Sequence, residues 1–72
     1  MGTMAKLVNL LLVERNMKKK ELAEKLGTSL SNVSAKLRRD NMSENELQSI
    51  AKACDATFTG GFILNDTGKE IK

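Results

Sequence analysis

Eight basic side chains fall within residues 15–39: Arg15, Lys18, Lys19, Lys20, Lys25, Lys36, Arg38 and Arg39, against the acids Glu21 and Glu24. Eight cations less two anions give that segment +6, while residues 1–14 balance Lys6 against Glu14 and residues 40–72 set three cations against six anions. The chain's net +3 therefore hides a polarised distribution. Cations concentrated in this way suit a polyanion, because ammonium and guanidinium groups donate to phosphate oxygens. Lys18, Lys19, Lys20, Lys36, Arg38 and Arg39 are the expected phosphate contacts, which supply affinity and register but read no sequence. Set among them are the shorter side chains of Leu30, Ser31, Asn32, Ser34 and Ala35. A hydroxyl can donate or accept at a base edge, an amide can pair with adenine, and an apolar group can touch a thymine methyl. These five are the candidate base-reading residues, with Leu30 open between the core and a thymine contact and Asn32 suited at least as well to a phosphate or a helix-end hydrogen bond.

Other chemistries find little support. The chain has no histidine and one cysteine, Cys54, which leaves neither a disulfide framework nor a metal site of the usual His/Cys type. There is no paired carboxylate in a plausible pocket and no glycine-rich phosphate loop followed by lysine, so no enzyme is expected. No cofactor or small-molecule ligand is implied. The lone cysteine fits a reducing cytoplasm, which is the expected location, and the apolar run over residues 7–13 is too short to span a bilayer and leads into Glu14 and Arg15. With 72 residues, two Phe and no Trp or Tyr, there is room for one domain with a small aliphatic core, which gains from oligomerisation.

The elements that must position the cations follow from periodicity. Leu22, Ala23 and Leu26 recur at helical spacing, Gly27 interrupts, and Val33 and Leu37 begin a second helical pattern. Gly27 stands where a helix must stop and positive φ is needed, and Ser29 can cap the helix that follows. Two short helices joined so tightly cross steeply, and the second projects. The spacing predicts a helix from residue 18 to 26 and another from 30 to 39. With Val33 and Leu37 facing inward, a turn of about 100° per residue places Ser31 and Ala35 on the opposite side with Arg38 near them. Small outward residues let a helix backbone lie close to base edges in a major groove.

Before this pair, residues 3–15 read as a helix with Thr3 as its cap, an apolar stripe of Val8, Leu11 and Leu12, and Asn16 as its stop. After it, Ser43 and Glu46 form a capping box that opens a fourth helix. On that helix Leu47, Ile50, Ala51 and Cys54 follow one face, so Cys54 is expected in the core. From residue 57 the pattern is strand-like. One β-hairpin is expected, turning at Asn65–Asp66–Thr67–Gly68 with Gly60 and Gly61 inside its first strand; a turn at the two glycines is the rival. Phe58, Phe62 and Leu64 exceed what a two-stranded tail can bury alone, and they are expected at a dimer interface.

Residues 21–39 carry Leu22, Ala23, Gly27, Ser29, Val33 and Ser34 at the spacing L-A-x-x-x-G-x-S-x-x-x-[VI]-S. In this they resemble the Cro and phage-repressor (XRE) class of helix-turn-helix regulators, over about residues 4–56. Lys18 and Lys19 depart from the Ser or Thr and the Gln more common there. The resemblance implies a mainly α, four-helix, lambda-repressor-like domain over residues 1–56, with residues 57–72 adding a C-terminal β-hairpin that serves dimerisation. It implies a sequence-specific transcriptional regulator, a repressor acting as a homodimer on a palindromic operator in double-stranded DNA. The alternative is a protein-interaction module of the same fold, such as an antirepressor or an antitoxin-type partner binder.

Overall fold

A computed structural model describes residues 4–71. Helix α1 runs Met4–Glu14, α2 Lys19–Leu26, α3 Leu30–Arg39 and α4 Glu44–Ala53; strands β1 Ala56–Phe58, β2 Phe62–Leu64 and β3 Glu70–Ile71 follow. The helices bury most of the stripes their spacing predicts: Val8, Leu11 and Leu12 on α1, joined by Leu7; Leu22 and Ala23 on α2, with Leu26 only half-buried; Val33 and Leu37 on α3; and Leu47, Ile50 and Ala51 on α4. Cys54 joins the same core at 2% exposure. No helix among the described residues is long and apolar enough to cross a membrane.

Three of the helices stop by one device. Asn16, Gly27 and Asp40 all take left-handed backbone angles, with φ of 52°, 72° and 53°. In each case the next residue's N–H reaches back to a carbonyl of the last turn: Met17 to Leu12 at 2.8 Å, Thr28 to Ala23 at 2.9 Å and Asn41 to Lys36 at 3.3 Å. That closure satisfies carbonyls a helix end would otherwise leave unpaired. Thr3, the expected cap of α1, lies outside the described residues. The first turn of α1 is met from the far side of the motif, where Asp40 Oδ1 accepts from the Ala5 N–H at 2.9 Å. A carboxylate there also suits the positive end of the helix dipole.

The C-terminal segment is a three-stranded antiparallel meander in the order β1-β2-β3, not a two-stranded hairpin. Both candidate turns form. Phe58 pairs with Phe62 across a tight loop in which Gly60 has φ of 84°, so the glycines turn the chain rather than bulging a strand. The second turn, over residues 65–69, brings Glu70 opposite Ile63 and Ile71 opposite Phe62. Strand alternation then gives the sheet one inner face. Ala56, Phe62, Leu64 and Ile71 are buried, Phe58 is half-buried with its ring 5.3 Å from that of Phe62, and Thr57 and Glu70 face outward. β1 packs on α4 and β3 on α1, so sheet and helices share one core.

This arrangement takes two of the three expected interface residues into the core. Phe62 and Leu64 are 0% and 2% exposed inside a single chain, so their side chains are spent on its own core rather than facing a second copy. Of the expected interface trio only Phe58 retains surface. The expectation assumed two strands with nothing to lie against; the third strand and the helices supply the missing cover.

Candidate nucleic-acid interface

The turn between α2 and α3 spends its polar groups on itself. Ser29 Oγ accepts from the Asn32 N–H at 3.1 Å, which caps α3. The Asn32 amide donates to Thr28 Oγ1 at 2.8 Å, so this side chain is anchored at the helix start. At the start of α2, Glu21 Oε1 accepts from the Lys18 N–H at 3.1 Å. Lys18 occupies the cap position in extended conformation, but an ammonium has no acceptor, so only this half of a capping box exists. The helix accordingly starts at Lys19, one residue later than its spacing suggested.

Helix α3 offers three sides. Val33 and Leu37 are buried at 6% and 7% exposure. Ser31, Arg38 and Arg39 are exposed on the other side, with Ala35 half-buried between them. Leu30, open to either a core or a thymine contact on sequence alone, is 45% exposed and lies outside the core, and Ser34 is half-buried on the flank next to it. Asn32 and Lys36, one turn apart, line a cleft of about 200 Å³ between α3 and α4, floored by Val33, Leu37, Met42 and Ile50.

The cations divide into two groups. Arg15 is not part of the basic face: its guanidinium donates to the Cys54 carbonyl at 2.8 Å, the Asp55 carbonyl at 2.8 Å and both oxygens of Asp66 at 3.0 and 2.9 Å. Its side chain is 18% exposed, and it locks the end of α1 to the end of α4 and to the β2–β3 turn. The Asp66 carboxyl, hydrogen-bonded by Arg15, is held below the ordinary carboxylate range. Lys36 pairs with Glu46 of α4, and this pairing, with help from the Ser43 amide, lowers the Glu46 pKa. Among the described residues Lys18, Lys19, Lys20, Lys25, Arg38 and Arg39 make no side-chain ion pair, and all are exposed. Lys69, in the tail, pairs with Glu14 at 2.8 Å.

Two helices crossing at a glycine turn, the second presenting small residues flanked by uncommitted cations, define a helix-turn-helix DNA-binding protein. The chain belongs to the Cro/C1-type HTH DNA-binding domain family, whose model matches residues 3–59. It is a DNA-binding regulator of that type. No curated protein and no solved structure matched the chain.

Sequence reasoning missed the Arg15 clamp, the Asp40 contact to α1 and the Lys36–Glu46 pair. Nothing local marks them. Arg15 and Asp66 stand 51 positions apart, and Ala5 and Asp40 stand 35 apart.

Proposed function

We propose that the protein is a repressor that binds a palindromic operator as a homodimer, with α3 of each copy in the major groove. Ser31 and Ala35 meet base edges, Leu30 touches a thymine methyl, and Ser34 contacts the base edge on that same flank. Asn32 braces the turn through Thr28 while its amide oxygen remains available to a base or a phosphate. Lys18, Lys19 and Lys20 at the start of α2, and Arg38 and Arg39 at the end of α3, take phosphates on either side of the groove, and Lys36 joins them when Glu46 releases it. A protein that lies across the recognition surface can block a promoter without further machinery, which is why repression is the simplest outcome of such binding. The expected dimer draws on the tail through Phe58, the one member of the trio Phe58, Phe62 and Leu64 with surface to give.

The observation that carries this reading is the contrast along one helix. The outward side of α3 combines small residues with Arg38 and Arg39, which no acidic side chain neutralises among the described residues. An ordinary solvated helix carries long charged groups all round, with ion pairs at helical spacing.

The salt dependence of binding tests it. If each half-site is held by about four to six phosphate contacts, the log–log slope for a dimer lies on the order of −7 to −11. A slope near zero, or no retardation of any duplex, rejects the reading and favours the protein-interaction module.

A further inference from the structure

Helix α4 starts beside the second half of α3, and Glu46 holds two partners there. Its Oε1 accepts from the Ser43 N–H at 3.1 Å, closing a capping box in which Ser43 Oγ accepts from the Glu46 N–H at 3.2 Å. Its Oε2 pairs with Lys36 Nζ, and the two side chains are 40% and 35% exposed for Lys36 and Glu46. Both therefore remain reachable by solvent and by a polyanion. Both side chains stand on anchored backbone. Lys36 sits next to buried Leu37 on α3, and Glu46 next to buried Leu47 on α4, on opposite walls of one cleft.

A carboxylate oxygen and a phosphate oxygen are both anionic acceptors and compete for the same ammonium. The carboxylate has the advantage of position, because its helix holds it in place before any ligand arrives, and holding it costs little further entropy. A phosphate displaces it only if the complex holds that phosphate equally well. Non-specific complexes lack this, since the protein slides and its contacts to the backbone are not in fixed register.

We propose that Glu46 is a specificity-determining residue: its carboxylate occupies Lys36 as an internal stand-in for a DNA phosphate and withholds that cation from non-specific DNA. The inference rests on the reading that α3 faces DNA. Removing the stand-in gives this cation to non-specific complexes, which had none of it before, whereas a specific complex already holds it.

Glu46→Gln is the informative variant, since glutamine at this position still accepts from the Ser43 amide and preserves the capping box. Binding to a duplex of arbitrary sequence is titrated at several salt concentrations for wild type, Glu46→Gln, Glu44→Gln and the pair Lys36→Met and Lys36→Met/Glu46→Gln. The expected result is a non-specific slope steeper by about 0.9 per subunit for Glu46→Gln, so its advantage over wild type grows about eightfold per subunit for each tenfold dilution of salt. Glu44→Gln removes the same charge from the same exposed helix end and should match wild type closely. In the Lys36→Met background Glu46→Gln should change nothing. The inference is overturned if wild type binds DNA and Glu46→Gln leaves the slope unchanged, if Glu44→Gln steepens it as much, or if the effect survives without Lys36. A wild type that binds no duplex removes the DNA reading, and the inference with it.

Discussion

At the scale of single residues the two kinds of DNA contact should fail differently. Arg39→Ala should weaken specific and non-specific binding alike and reduce the salt slope by about one per subunit. Ala35→Gln keeps the charge and a good helix former, so the melting temperature should barely move while the preferred base at one operator position changes. An altered base contact is worth roughly 1 to 3 kcal/mol of discrimination, well within reach of a titration. An identical selected motif for Ala35→Gln would place the reading face elsewhere on α3. Which residues could read bases was legible from the spacing of Val33 and Leu37, because helix periodicity fixes the opposite side. Which cations were free to bind was not. Arg15, Lys36 and Arg39 look alike in sequence, and only the fold reveals that the first two already have acidic partners.

At the scale of elements the helices were legible because their determinants are local: apolar stripes, the capping Ser29 and Ser43, and left-handed stops at Asn16 and Gly27. The strand-like character from residue 57 and both turn candidates were legible too, but the number of strands and their pairing were not, since β1 and β2 have three residues each and β3 two, too few to show a period. Their pairing depends on turns at both candidate sites, and the third strand is set by contact with β2 and α1. Two predictions belong here. A Cβ added at Gly27 would meet nothing within 4 Å, so the cost of Gly27→Ala comes from its φ of 72° alone. Chemical denaturation should find it less stable by about 1 kcal/mol, with Gly27→Asn costing less. The second concerns the Arg15–Asp66 clamp. A carboxyl whose folded pKa is depressed adds stability that is fully present above its unfolded value of about 3.9 and disappears as pH falls through the folded value. Asp66→Asn should therefore melt below wild type at neutral pH. The difference should narrow as the medium is acidified below about pH 4, whereas a constant difference would mean that the clamp acts through packing rather than charge.

At the scale of the whole molecule the tail is part of the core. A chain ending at Asp55 loses buried Ala56, Phe62, Leu64 and Ile71 together with the Asp66 partner of Arg15. Truncating even one fully buried phenylalanine to alanine costs about 3 to 5 kcal/mol, against a total of roughly 5 to 15 for a small domain. The truncated chain should thus be unfolded by circular dichroism rather than a folded monomer, and only a retained helical spectrum with a cooperative melt would restore a separable tail. Dimerisation is better probed on the intact chain. Sedimentation equilibrium should show a dimer that Phe58→Asp weakens, and an unaffected dimer would move the interface away from the sheet. The central claim is that this fold presents α3 to specific DNA sequences, and selection of bound duplexes from a random pool by the intact protein tests it most directly. Enrichment of an inverted repeat, with half-site centres about one helical turn apart or a multiple of it, is the expected result. A pool that remains random through repeated rounds at moderate salt would contradict it.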